Sequence, residues 1–464
     1  MPNLLDLLTP WMPAQRWFAG KGAGSTLERI GGFRLATASG EARVGVHFVL
    51  AHSAQPLLYQ VPLTERDAPV DGLAHALVGT IETDGHTTWV YDGTHDPAGA
   101  EAILRLVLDE STALPDDGAP GIAARGHRAP GVPVSRVVGS RVLSGEQSNT
   151  SIIFDVADDD DGTPGEPVIC KVFRSLHHGD NPDVTLLSAL GVAGSTVVPR
   201  SIGHITGEWR DSARPTGIAH GHLAFAQEFL PGVEDAWRVA VSAAAAGDDF
   251  ATRARALGEA TADVHVALAR ALPTHETGAA EIAGVVSSMR SRFDQAVEEV
   301  PALAEHRDAL ESVYSRISAS AWPPMQRIHG DYHLGQVLSV PERGWVILDF
   351  EGEPLRPMHE RSVEDSPLRD VAGMLRSFDY VAGSVSMSDP AASPKGWAAD
   401  ARASFVEGYA ARSGRDLLAD RALLDAFEID KALYEAVYEA RNRPSWLPIP
   451  LGAIGRLVDR ASRA

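Results

Sequence analysis

His329-Gly330-Asp331-Tyr332-His333-Leu334-Gly335-Gln336-Val337-Leu338, followed by Val346-Ile347-Leu348-Asp349-Phe350-Glu351-Gly352-Glu353-Pro354, decides how this chain is read. Phosphoryl transfer asks for a carboxylate that takes the acceptor hydroxyl's proton, an oxygen ligand for magnesium a few residues on, and a second metal carboxylate after a following strand. Asp331, Gln336 and Asp349 stand in that order. Pro341-Glu342-Arg343-Gly344 is a turn signal, and the apolar run Trp345 to Leu348 reads as a short buried strand that delivers Asp349 to a loop. A lone His-Gly-Asp is an ordinary turn. The offset to Gln336 and the Asp-Phe-Glu-Gly after a strand are separate requirements, and both are met. Asp331 is therefore assigned as the catalytic base, with Gln336 and Asp349 as Mg2+ ligands.

Working outward, composition narrows the partners. The chain has 464 residues, 44% of them hydrophobic, enough for a large core divided over two or three domains. Lys and Arg number 41 against 62 Asp and Glu, so the net charge of -21 argues against a nucleic acid or an anionic membrane as partner. A nucleotide bound through magnesium stays compatible. The single Cys170 excludes an internal disulfide and a cysteine metal site. With no apolar run of membrane-spanning length and no basic leader, the expected location is cytoplasmic.

Upstream, Phe33 to Ala36, Ala42 to Leu50, Pro56 to Val61 and His86 to Tyr91 read as strands, so residues 1-95 are expected to form a small antiparallel sheet with a helix. Arg16-Trp17-Phe18 is either a binding surface or, more often in a small domain, core aromatics with the arginine packed over them. Residues 98 to 109 read as a helix and Asp116 to Pro133 as a Gly- and Pro-rich linker. The runs Ser135 to Leu143 and Ser151 to Val156 flank Ser144-Gly145-Glu146-Gln147-Ser148-Asn149-Thr150. Strand, small polar loop, strand is either an ordinary hairpin or one that covers nucleotide phosphates, with Gly145, Gln147, Ser148 and Asn149 as candidates. Asp158 to Asp161 read as a solvated hairpin tip. Lys171, inside the apolar strand Val168 to Phe173, is costly unless paired, and a nucleotide phosphate would pair it, as the corresponding strand lysine does in kinases. The strand ending at Gln227-Glu228-Phe229-Leu230-Pro231-Gly232 is where such a chain crosses between lobes, so Gln227, Glu228 and Leu230 are placed near adenine.

Beyond this point the pattern is mostly helical, with His265 read as a packed residue on the helix Leu257 to Ala271 and Arg369-Asp370 as a pair that could brace the catalytic loop. Lys431, Tyr434, Tyr438 and Arg441 fall at i, i+3, i+7 and i+10, a face suited to a hydroxyl-rich ligand or simply an exposed helix with snorkelling ends.

The whole chain resembles the actinobacterial maltokinases, including the maltokinase segment fused to some trehalose synthases. The resemblance rests on Arg16-Trp17-Phe18-Ala19-Gly20-Lys21, Gly145 to Thr150, Lys171, Asn181-Pro182-Asp183, Gln227 to Leu230, the catalytic loop, Asp349 to Pro354, and Tyr434 through Pro448. It implies an α+β, bilobal, eukaryotic-protein-kinase-like fold with an N-terminal cap subdomain (1-95), a nucleotide-side N-lobe (96-230) and a mostly helical C-lobe (231-464) that holds the sugar. It further implies ATP as co-substrate with Mg2+, maltose as acceptor, and a link to trehalose and glycogen enzymes. His333, Glu351, Lys431, Tyr434, Tyr438 and Arg441 are the expected sugar-side residues. Thr185 stands where related chains carry an acid, which leaves Asp183 or a residue elsewhere to pair Lys171. A related group phosphorylates glucosamine, for which Glu351 and Glu353 would supply the acidic pocket. The reading from another class is a catalytically silent nucleotide-binding module.

Overall fold

The computed structural model describes residues 4-19, 26-37, 40-53, 56-115, 123-145, 148-158, 161-353, 358-389 and 394-461. Gly20, Lys21, Glu146, Gln147, Asp159, Asp160 and Pro354, all named above, lie outside them. Contacts divide the chain into two units, Met1–Ser188 with Pro199–Pro231, and Ala189–Val198 with Gly232–Ala464.

The first unit is built on two antiparallel sheets. One joins Thr26–Leu35, Arg43–His52, Leu57–Arg66, His86–Asp92 and Leu77–Thr83 in that spatial order, with Ser175–Leu176 added beside Leu57–Arg66. The other runs Thr112–Ala113, Ala124–Arg128, Ser201–Arg210, Ile218–Glu228, Val168–Phe173, Asn149–Asp158, Ser135–Val142. The helix Pro97–Leu108 starts at Asp96, whose side chain accepts from the Ala98 N–H, and its alanines and leucines are buried nearly all round. A helix without a polar face must be enclosed. It shares one core with Phe33, Val46 and Phe48 of the first sheet and Ile152, Cys170 and Ala224 of the second.

The segment 1-95 has a core of its own, with Trp17, Phe18, Tyr59 and Val61 in it, and also contributes to the cluster around Pro97–Leu108 across the boundary at 95. One expectation is corrected here, for 116-133 is not a linker throughout: Ala124–Arg128 is a strand paired with Ser201–Arg210. Its glycine reads as a turn residue in sequence, yet a Cβ on Gly126 would lie 1.7 Å from the Leu106 carbonyl oxygen. Glycine is there to let strand and helix backbones touch.

Arg174 fastens the first unit internally. Fully buried, it donates to Asp92, Thr94 and Thr150 and lies 4.8 Å over the Trp17 ring. Trp17 and Phe18 are core, as one of the two readings had it.

Helices Ala236–Ala246, Ala251–Ala271, Ala279–Glu299, Arg307–Ser318, Leu368–Ser388, Lys395–Ser413, Arg421–Asn442 and Pro448–Ala461 make up most of the second unit, with a small sheet of Glu234–Asp235, Val337–Val340 and Gly344–Ile347. Among the described residues no helix is long and apolar enough to cross a membrane.

Candidate active site

The catalytic loop takes its shape from the helix Leu368–Ser388. Asp370, Gly373 and Ser377 lie on one face of that helix, at i, i+3 and i+7. Asp370 accepts from the backbone N–H groups of His329 (2.8 Å) and Gly330 (2.9 Å), and Ser377 Oγ accepts from Leu334 N (3.1 Å). At Gly373 a side chain would meet the Tyr332 carbonyl oxygen at 2.6 Å. His265 completes the brace, donating from Nε2 to Asp370 (3.0 Å) while Nδ1 accepts from the Tyr409 hydroxyl (2.9 Å). Burial disfavours a charge on Asp370, but His265 and the loop N–H groups outweigh it and hold the carboxyl below its ordinary range.

His329 works from within the loop. Its Nε2 donates to the Leu348 carbonyl (2.8 Å) and its Nδ1 accepts from Asp331 N (3.3 Å), so one buried ring ties Asp331 to the strand end that precedes Asp349. Asp349 adopts a positive φ of 60°, a strained conformation for a residue other than glycine. Gln336 Nε2 donates to Asp349 Oδ2 at 3.2 Å. A half-turn of that amide would present its oxygen beside the carboxylate, and two oxygen donors completed by phosphate and water suit magnesium.

Lys431 connects Asp331 to a cavity. Its Nζ donates to Asp331 (3.2 Å) and Glu353 (2.9 Å), and these carboxylates hold the amine charged, well above its ordinary pKa, against the opposing effect of burial. The cavity, about 330 Å³, is walled by the rings of Trp237, Tyr380, Tyr434, Tyr438 and Trp446, with His333, Lys431, Glu435, Glu439 and Arg443 between them. Burial pushes the His333 imidazole below its ordinary pKa. Each cavity carboxylate is matched by a cation, Glu435 by Arg376 (2.7 Å) and Glu439 by Arg443 (2.6 Å).

Of the expected sugar-side residues, His333, Lys431, Tyr434 and Tyr438 meet at this cavity, and Arg441 does not. Arg441 pairs with Glu299 on the exposed side of the helix. Ten residues at 100° each carry it 80° away from Lys431. Glu351 lies off the cavity wall, where its charge acts on Arg361 together with those of Asp331, Asp349 and Glu353. Arg361, Glu435, Glu439, Arg443, Tyr380, Trp446 and Trp237 were not singled out from sequence. The two glutamates at least carried a signal, standing at i+4 and i+8 from Lys431.

In the first unit, Lys171 Nζ lies 3.2 Å from Asp183, which is buried at the start of the helix Pro182–Val192. Asp183 thus pairs the strand lysine, while the Thr185 hydroxyl donates back to the carbonyls of Asn181 and Pro182 at the start of its own helix. Gly145, with φ 114°, and Ser148 and Asn149 sit at the turn between the paired strands Ser135–Val142 and Asn149–Asp158. Glu228 accepts from Arg200 N (3.0 Å) at the end of the strand Ile218–Glu228, with Gln227 before it and Leu230 beyond.

Residues 11-96 match the maltokinase N-terminal cap domain, and residues 184-427 match the phosphotransferase enzyme family. The chain belongs to the phosphotransferase enzyme family. As such it is a kinase of the aminoglycoside-phosphotransferase-like type, with an N-terminal sheet cap and a helical C-terminal region. It is 31% identical over 335 residues to a glucosamine kinase of Streptacidiphilus jiangxiensis, covering 68% of this chain and 72% of that one. It is 29% identical over 346 residues to a glucosamine kinase of Mycolicibacterium smegmatis, covering 70% and 81%. A solved glucosamine kinase superposes with a TM-score of 0.70 at 25% identity, over 99% of this chain and 100% of that one.

Proposed function

We propose that this phosphotransferase moves the γ-phosphoryl group of ATP onto a hydroxyl of a neutral disaccharide, maltose at its reducing-end C1. The carrying observation is Lys431, which lines the cavity while touching Asp331. A sugar held there has its hydroxyl on the side of the base. Aromatic rings stack on the C–H faces of pyranoses, and the polar groups between them exchange hydrogen bonds with hydroxyls. An amino sugar would need a carboxylate to receive its ammonium group. Glu353 already holds Lys431, and Glu435 and Glu439 hold arginines, so the wall is charge-matched and favours a neutral ligand. The names of the relatives favour glucosamine, which is kept as the second reading.

In this mechanism Asp331 accepts the hydroxyl proton as the sugar oxygen bonds to the γ-phosphorus, and the bond to the β-phosphate oxygen breaks to release ADP. Lys431 orients Asp331, and His333, kept neutral by burial, exchanges hydrogen bonds without adding charge. Gln336 and Asp349 would hold magnesium, which when bound offsets charge on the phosphates. Lys171 is assigned to the phosphates, steered by Asp183.

The test is ADP release with ATP and magnesium on maltose, glucosamine and glucose in parallel. Turnover on maltose well above the others supports the reading. Turnover on glucosamine alone replaces it with the second one, and silence on all three overturns both.

A further inference from the structure

Among the described residues of the first unit, two buried side-chain atoms have no hydrogen-bond partner, Nη1 of Arg174 and Oε1 of Gln227, and only the second stands on the strand that pairs with Val168–Phe173. Oε1 of Gln227 is shielded from solvent and has no hydrogen-bond partner among the described residues. Leaving a buried amide oxygen without a donor is costly, so its position calls for one.

The pairing of strands places that oxygen. Val168–Phe173 and Ile218–Glu228 are antiparallel with Lys171 opposite Phe225 and Ile169 opposite Gln227. Directly opposed residues share a face and faces alternate along a strand, so Gln227 is on the same face as Lys171, two residues along. The residues between, Cys170 and Ala226, point into the core on the other side. Two residues of strand span about 7 Å. One face therefore carries a cation at one end and an unsatisfied acceptor at the other.

We propose that Gln227 selects the nucleobase, its Oε1 accepting from the exocyclic amine of adenine. This rests on the nucleotide assignment above. The chemistry is discriminating, because adenine presents an amine at C6 where guanine presents a carbonyl oxygen. Two facing oxygens repel, whereas an amine satisfies the orphan acceptor. The place of Gln227 at the end of its strand puts it near adenine, and the unsatisfied oxygen gives its side chain a task.

The experiment compares kcat/KM for ATP and GTP in the wild type, Gln227→Met and Gln227→Glu, with ADP and GDP binding followed by calorimetry and folding checked by thermal unfolding. The wild type is expected to prefer adenine. In Gln227→Met, which keeps bulk and loses the acceptor, the ATP/GTP ratio falls about tenfold, the scale of one hydrogen bond. Gln227→Glu keeps an acceptor and keeps the adenine preference. An unchanged ratio in a folded Gln227→Met, or a wild type that binds both nucleotides equally, overturns the assignment of Gln227 while leaving the kinase reading standing. A wild type that binds neither nucleotide overturns both.

Discussion

Lys431 and Asp331 form an ion pair of 3.2 Å between the cavity wall and the loop that follows His329, so the group that holds Asp331 also lines the cavity assigned to the sugar. Lys431→Met removes the group that positions Asp331 and should lower kcat/KM at least about tenfold, the scale of one hydrogen bond to a charged group, whereas Lys431→Arg keeps a cation there and should lose less. Removing one partner of a largely buried pair also costs about 2-4 kcal/mol of stability. Wild-type kcat/KM in a folded Lys431→Met would remove Lys431 from that role.

Asp331→Asn retains shape and loses the proton acceptor. Nucleotide binding should persist while turnover drops at least about a hundredfold, the scale of general-base loss. Single-turnover kinetics alongside nucleotide titration separates the two, and near-normal turnover would remove Asp331 from its role.

Asp370 receives three donors, two from the loop backbone and one from His265. Asp370→Asn turns one acceptor into a donor facing donors, and should cost about 2-4 kcal/mol together with a lower kcat. The charge contribution has a definite sign. A carboxyl held below its ordinary pKa stabilises the fold at neutral pH and loses that contribution as pH falls through its native pKa. Unfolding of Asp370→Asn at the wild-type midpoint would contradict the bracing role.

On the second sheet of the first unit, His204 stacks on His127 at 4.7 Å and meets His222 edge-on at 5.1 Å. Burial, helped by neighbouring imidazoles, pushes His204 down to about 4; burial also takes His222 to about 4, against the favourable charge of Asp180. An unfolded chain would protonate both near 6.5, so between pH 6.5 and 4 the unfolded state binds more protons and stability falls as pH falls. After allowance for partial exposure the pair contributes on the order of 2 kcal/mol across that window. His204→Gln with His222→Gln should flatten the dependence of the unfolding midpoint between those pH values. A slope as steep as the wild type's would assign it to other groups.

That Asp331, Gln336 and Asp349 come together was legible because their spacing is local. Asp331, Gln336 and Asp349 sit in a short span with a turn and a strand between them, and spacing alone carries their order. The strand lysine was legible because a charge within an apolar run needs a partner. What pairs across elements was not. Nothing beside Glu435 announces Arg376, 59 positions earlier. Arg441 was misplaced because i+10 falls off the face continued by i+4 and i+8. Ala124–Arg128 was missed because its glycine serves a close approach and reads as a turn.

The shared core around Pro97–Leu108 and the Arg174 anchor bear on where this polypeptide can be cut. The family match at 184-427 begins inside the helix Pro182–Val192. A recombinant fragment starting there would keep Ser201–Arg210 and Ile218–Glu228 and lose every other strand of their sheet. Truncation after the cap at 96 fares little better, for it removes Asp92 and Thr94 from a fully buried guanidinium. The first hundred residues are thus a folding requirement of the sheet that carries Lys171, to be inherited with it whenever the gene is fused, trimmed or shuffled.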